Sequence, residues 1–353
     1  MAKKLFIPGP VDVLDDVAAE MTKPMIGHRS KDYSELHHSC VERLKKVLYT
    51  NNTIFIGPMS SSGWMEAAVL NLVGRKALHV VNGAFSGRWY KISVANGRKA
   101  EKFEVKWGSA AKPKDIEEKL NSGEYDTLFV THNETSTCVA TPLEGFGKIC
   151  ADNSVMFCVD AVSSACGAKI ETDKLGIDVL VTGTQKCFGV PPGLAMATVS
   201  AKALERSKNT PNRGLYFDYQ DYLKKAEKDQ TPSTPPISLI RALNYQCGKI
   251  LEKEGLENRF ARHAKMAKYT QEWAAKKWQL YAEPWCMSQT VTAVNNSRNF
   301  DLAELGKQLG SKGYQFSNGY GDLKGKVFRV AHMADRTMDE LKAYLEAIDE
   351  ITK

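Results

Sequence analysis

Between about residue 50 and residue 200, short apolar runs rich in β-branched and aromatic residues alternate with stretches of helical periodicity. That is the pattern of an α/β unit on a mainly parallel sheet. The runs Ala77–Val81, Thr127–Thr131, Val155–Val159, Val179–Thr182 and Leu194–Val199 predict strands. Several are continuously apolar rather than alternating, so helices should cover both faces. Between them, Met65–Leu72 is apolar nearly all round and predicts a buried helix, while Lys114–Leu120 predicts an amphipathic one.

After about residue 210 the texture changes. Arg213–Asp229 is polar and aromatic, Gln230–Pro236 is rich in turn residues, and a long helical stretch follows from about Ile237. A boundary near residue 255 fits this shift. The rest closes with an apolar run, Lys326–His332, then Thr337-x-x-Glu340, a capping-box sequence ahead of Leu341, Tyr344, Leu345, Ile348 and Ile351 at helical spacing. A strand and a terminal helix in a small α+β domain are expected there.

With 353 residues the chain can bury a sizeable core, and two domains in close contact are the default expectation. The net charge of +7 is spread without a long basic block, which argues against nucleic acid as a partner. Eight scattered cysteines without a C-x-x-C pair suit a reducing compartment. The beginning of the chain lacks a secretory pattern, and no apolar run approaches the roughly 20 residues that cross a bilayer. A soluble, cytoplasmic protein with no membrane partner is expected.

The central chemical clue is Thr182-Gly183-Thr184-Gln185-Lys186-Cys187-Phe188-Gly189, a lysine just past a strand in a Gly- and Pro-rich loop. Loops at the carboxyl ends of parallel strands are where ligands bind, and a desolvated lysine amine can attack an aldehyde. An ordinary solvent-exposed loop lysine has the same pattern. Asp160 ends another apolar run 26 residues earlier, a spacing that predicts one strand-helix-strand unit and places both groups at one sheet edge. It could equally cap a helix. Gly57-Pro58-Met59-Ser60-Ser61-Ser62-Gly63 leads into a helix expected near Trp64, where free N–H groups and the helix dipole can bind phosphate. The seven histidines form no zinc-protease pair, and the Lys186 loop is no P-loop.

In shared order these residues resemble the class V aminotransferases of the fold-type I pyridoxal-phosphate enzymes. That group includes alanine–glyoxylate, serine–pyruvate and archaeal-type aspartate aminotransferases. The likeness runs through Pro8-Gly9-Pro10, Gly27-His28-Arg29, Asn82-Gly83-Ala84-Phe85, Thr131-His132-Asn133-Glu134-Thr135-Ser136-Thr137, Val159-Asp160-Ala161-Val162, Gly183-Thr184-Gln185-Lys186 and Phe328-Arg329-Val330. It implies an N-terminal arm (1–16), a large domain with a seven-stranded, mainly parallel sheet (17–254) and a small C-terminal α+β domain (255–353).

The resemblance further implies pyridoxal 5'-phosphate as cofactor. Lys186 would hold its aldehyde as a Schiff base, and Asp160 would pair with the pyridinium nitrogen, keeping the ring an electron sink. Val162 and Phe85 would pack on the two ring faces, and Thr135 would bond the ring oxygen. Ser60, Ser61, Ser62 and Gln185 would hold the phosphate. Arg329 would grip the substrate carboxylate with two parallel hydrogen bonds. The loop 230–236 resembles a segment lent to a neighbouring subunit, so Ser233 or Thr234 would complete the phosphate site in trans within a homodimer.

The implied activity is ping-pong transfer of an amino group from alanine, serine or aspartate to glyoxylate, pyruvate or 2-oxoglutarate. The segment Gly319–Arg329 resembles the archaeal-type aspartate group. A phosphoserine or other phospho- or phosphono-amino acid donor is an alternative. A cysteine desulfurase of the same fold would need a mobile-loop cysteine, and only Cys286 could serve. No metal site is expected.

Overall fold

The computed structural model describes residues 3–353. The five apolar runs form strands within a residue or so of the pattern, and two further strands close the sheet. In chain order these are β1 (Thr53–Gly57), β2 (Ala77–Val81), β3 (Ala100–Glu104), β4 (Thr127–Thr131), β5 (Met156–Asp160), β6 (Val179–Gly183) and β7 (Ala195–Val199). Their spatial order is β1-β7-β6-β5-β4-β2-β3. Strand β7 runs antiparallel to both neighbours and the other pairings are parallel.

The two strands missing from the pattern are the two edges. Strand β3 reads Ala-Glu-Lys-Phe-Glu, half-exposed and charged as an edge should be, so no apolar run announces it. The inner strands β2 and β4 to β7 are buried at every position, which is why their runs are continuous. Alternate side chains serve two cores. Ile54, Ile56, Leu128, Val130, Phe157 and Val159 face one layer, while Phe55, Phe129, Cys158 and Val181 face the other.

Helix α1 (Lys31–Val47) packs in the first layer, and α2 (Ser61–Leu72) and α3 (Ala84–Ala95) in the second. The connection from β5 to β6 corrects the expected strand-helix-strand unit, because residues 161–178 make turns and no α-helix. The small residues there fit tightly beneath the lysine loop: a Cβ on Gly167 would lie 2.6 Å from the Cys187 sulfur.

Past the large sheet, α4 (Ile237–Lys249) packs on α1, and Gly255 at φ +80° precedes α5 (Leu256–Lys277). The C-terminal part carries an antiparallel sheet of β8 (Gln279–Leu280), β9 (Val291–Asn295), β10 (Ser317–Asn318) and β11 (Val327–Ala331), in the order β8-β9-β11-β10. Helix α6 (Leu302–Ser311) and the terminal helix α7 (Met338–Ile351) lie against it. The capping box forms, with Glu340 N–H donating to the Thr337 hydroxyl and Thr337 N–H to the Glu340 carboxylate. Near the start of the chain, Lys4–Leu5 pairs with Tyr314–Gln315 as a separate two-stranded sheet, and the segment after it reaches the Lys186 loop at Pro8. Among the described residues no helix is long and apolar enough to cross a membrane.

Candidate active site

Strands β1, β2, β4, β5 and β6 all end at one edge of the large sheet, where their loops meet. Asp160 pairs in register with Val181, two residues before the end of β6, so Asp160 and the Lys186 loop emerge side by side. The Lys186 amine donates to the Pro8 carbonyl. Gly9 sits at φ +87°, and a Cβ there would lie 2.6 Å from the lysine Cδ and 2.9 Å from the Gln185 carbonyl. Only glycine allows the N-terminal segment to lie on the lysine stem in this conformation. Burial lowers the Lys186 pKa to about 8, and the Arg329 charge adds to the fall.

Asp160 is buried, and the one hydrogen bond that its carboxylate accepts among the described residues comes from Val162 N–H at 2.9 Å. Burial pushes its pKa up to about 7 against that bond, with Glu134 raising it further. A carboxylate so short of donors is matched to a cationic N–H partner. Val162 is half-buried directly beyond it.

The serine turn begins its helix earlier than expected, at Ser61, with Ser60 as the N-cap. Ser60 is exposed and its side chain makes no capping bond. The Ser61 hydroxyl is buried without a hydrogen-bond partner. A Cβ on Gly183 would strike that hydroxyl and lie 2.9 Å from Gln185 Oε1, so the missing side chain brings the two groups together. Ser62 is half-buried on the first turn. Trp64 turns away, donating to the Ala195 carbonyl at 3.0 Å and packing on Phe55 and Tyr222.

Phe85 lies in the first turn of α3. Its ring stacks on Tyr320 with centroids 5.2 Å apart, and the Arg88 guanidinium lies 4.9 Å from its centroid. The start of α3 is held by Glu134, a fully buried carboxylate absent from the sequence-derived site. It accepts from Phe85 N–H at 3.0 Å, Ser86 N–H at 2.8 Å, Ser86 hydroxyl at 2.9 Å and Ser136 hydroxyl at 2.6 Å. The signal was a lone carboxylate in the polar, hydroxyl-rich stretch that follows the apolar run of β4. Thr135 is buried beside it, its hydroxyl bonded to that of Ser163, another residue the sequence reading missed.

Arg329 projects from β11 toward Thr135. Its guanidinium donates to the Thr135 carbonyl at 3.2 Å and to the Asn318 carbonyl from two nitrogens at 3.2 Å. Among the described residues it pairs with no carboxylate, and burial lowers its pKa. Lys186, Asp160, Ser61, Gln185, Thr135 and Arg329 thus converge. Ser233 and Thr234 do not join them. Both are exposed, and Arg29 pins their loop through the Thr231 and Pro232 carbonyls at 2.8 and 3.0 Å. Among the described residues no group of His, Cys, Asp and Glu could hold a metal ion.

The donor set suits a phosphorylated aldehyde with a basic ring. A weakly basic amine faces an aldehyde, a donor-poor carboxylate a ring cation, and an orphaned hydroxyl at a helix N-terminus a phosphate.

Sheet order and site together define an α/β enzyme of the fold-type I pyridoxal-phosphate-dependent transferases. The solved alanine–glyoxylate aminotransferase from Nostoc sp. superposes with a TM-score of 0.95 at 26% identity, covering 100% of this chain and 96% of that one. The family described as Aminotransferase class-V matches residues 12–320, and the chain belongs to it; it is an aminotransferase. It is 38% identical to an uncharacterized aminotransferase of Methanocaldococcus jannaschii, over 98% of this chain and 92% of that one. It is 33% identical to the L-aspartate–glyoxylate aminotransferase of Paracoccus denitrificans, over 94% and 87%.

Proposed function

We propose that this aminotransferase uses pyridoxal 5'-phosphate, held by Lys186, to move an amino group from a small amino acid (alanine, serine or aspartate) to a 2-oxo acid (glyoxylate, pyruvate or 2-oxoglutarate). The observation that carries this reading is the meeting, at one sheet edge, of a weakly basic lysine, a buried carboxylate short of donors and a guanidinium without an acidic partner. Bound there, the cofactor supplies an electron sink for the electron pair released at the substrate Cα.

Asp160 would meet the ring cation, Val162 and Phe85 would pack against the ring, and Thr135 would donate to its oxygen. Ser60, Ser61, Ser62 and Gln185 would hold the phosphate. Arg329 fixes the substrate carboxylate and so aims the Cα–H bond. The Lys186 amine takes the Cα proton of the donor and, in the second half-reaction, returns one to Cα of the acceptor. A pKa near 8 leaves part of that amine neutral at physiological pH, as a base must be. Each half-reaction releases its product before the next acid binds, which gives ping-pong kinetics.

The exposed Ser233 and Thr234, without side-chain partners among the described residues, support a homodimer in which this loop completes the neighbouring phosphate site. Division into an arm (1–16), a large domain (17–254) and a small domain (255–353) is supported by the break at Gly255. A desulfurase is disfavoured by Cys286, whose buried thiol donates to the Gly108 and Glu283 carbonyls and is pushed up to about 11.

Borohydride reduction of the holoprotein, followed by peptide mapping, is expected to fix the cofactor on Lys186. Lys186→Ala is expected to keep the cofactor without the covalent link and to lose turnover by at least about 10²- to 10⁴-fold. A label on another lysine, or normal turnover by the variant, would overturn the reading.

A further inference from the structure

Arg88 is a second guanidinium at the mouth of this site, and nothing assigned so far uses it. It stands one helical turn after Phe85 on α3, so the two share a face. Its guanidinium lies 4.9 Å from the Phe85 centroid, and its single hydrogen bond among the described residues goes to the Tyr320 hydroxyl at 3.2 Å. It has no carboxylate partner among them. Its charge reaches the interior of the site, where it lowers the pKa values of both Asp160 and Lys186.

Tyr320 links the two unpaired arginines. Its hydroxyl accepts from Arg88, and the Arg329 guanidinium carbon lies 5.8 Å from its ring centroid. The ring also stacks on Phe85. One aromatic side chain therefore separates Arg329 from Arg88 and bounds their distance to on the order of 12 Å. A dicarboxylate offers one carboxylate to each of two such guanidinium groups, each able to take it with parallel hydrogen bonds.

We infer that Arg88, held by Tyr320, is a subsite for the distal carboxylate of an acidic substrate, so that the site takes four- and five-carbon amino and oxo dicarboxylates as well as monocarboxylates. This rests on the proposed assignment of Arg329 to the first carboxylate and names the residue that would favour the acidic members of that substrate class. The two guanidinium groups then act at opposite ends of one molecule. Arg88 gives selectivity for the acidic side chain, and Arg329 gives binding common to every substrate.

The test compares aspartate with alanine as donor, at fixed acceptor, in the holoenzyme and its Arg88→Gln variant. The ratio of the two kcat/KM values is expected to fall about 10- to 100-fold in the variant, the effect of losing a hydrogen bond between charged groups. Arg88→Lys, which keeps charge without the planar fork, is expected to fall between. Tyr320→Phe, which keeps the ring but frees Arg88, is expected to lower the ratio several-fold. A turnover-independent measure is maleate binding against propionate binding by calorimetry, where Arg88→Gln should erase the advantage of the diacid.

A ratio within twofold of wild type, equal losses for both donors, or a wild-type enzyme that prefers propionate to maleate would overturn the inference while leaving the aminotransferase assignment intact. Failure of that assignment would look different: no amino acid would serve as donor and borohydride would fix nothing on Lys186.

Discussion

Two buried arginines lie near the lysine loop, and they are treated in opposite ways. Arg259, on α5, is wholly inaccessible and fully paired. It bonds Glu254 at 2.8 Å, Asp335 at 3.0 Å and the carbonyls of Cys166 and Cys187 at 3.2 and 2.6 Å. Burial works against its charge, but Cys166, Asp335 and Glu254 more than reverse this and raise its pKa. Arg329 is nearly as buried and has carbonyls alone, and its pKa is lowered. The first arginine is spent on the fold, since it ties the residue after Lys186 to α5. The second is left with capacity for a ligand. A buried cation without a counter-ion is a cost to the free protein that a bound carboxylate removes.

The largest effect that would break this comparison is on stability. Arg259→Ala leaves Glu254 with Arg262 alone, leaves Asp335 with only the Gln246 amide, and strips the Cys166 and Cys187 carbonyls of its guanidinium; it is expected to destabilise by about 3 kcal/mol, the low end for a broken buried pair because both acids are partly exposed and keep one partner each. The apparent unfolding midpoint should drop by several degrees. An unchanged midpoint would mean that this network does not hold the loop.

Next in size is Arg329→Gln. With no ion pair to break, its midpoint should stay within a degree or two. Its kcat/KM should fall about 100-fold for every amino donor, alanine and aspartate alike, because a charged bidentate contact is lost. A drop confined to aspartate would exchange the roles given to Arg329 and Arg88.

The same contrast explains what could be read from the chain. Inner strands were legible because burial on both faces leaves continuous apolar runs, as in Leu180 and Val181 of β6. The edge strand β3 was not, since a half-exposed strand carries Glu and Lys on its outer positions. Lys186 and Asp160 were legible because each ends such a run. Glu134, Arg88 and Tyr320 were not, because their meaning comes from tertiary partners: the start of α3 for Glu134, and a loop beside the four-stranded sheet meeting α3 for the other two. Arg259 looked like any charged helical residue, and its burial follows from packing that no local pattern reports. The missing helix between β5 and β6 has the same cause, a tight fit of small residues beneath the lysine loop.

The smallest predicted effect applies the contrast to neutral groups. On one side of the site, Ser86 and Ser136 spend their hydroxyls on Glu134 and hold the start of α3. On the other, the Ser61 hydroxyl is equally buried and has no partner. Removing a satisfied hydroxyl leaves its partner exposed to loss, whereas removing an unsatisfied one removes only a desolvation penalty. Ser61→Ala should therefore leave the apoprotein as stable as wild type, or slightly more so. Its consequence should appear on adding pyridoxal 5'-phosphate to the apoprotein, with affinity read from the visible absorbance falling about tenfold, while affinity for unphosphorylated pyridoxal stays level. A loss of apoprotein stability, or equal losses for the two aldehydes, would show that Ser61 serves the fold as Ser86 does and that the phosphate lies elsewhere.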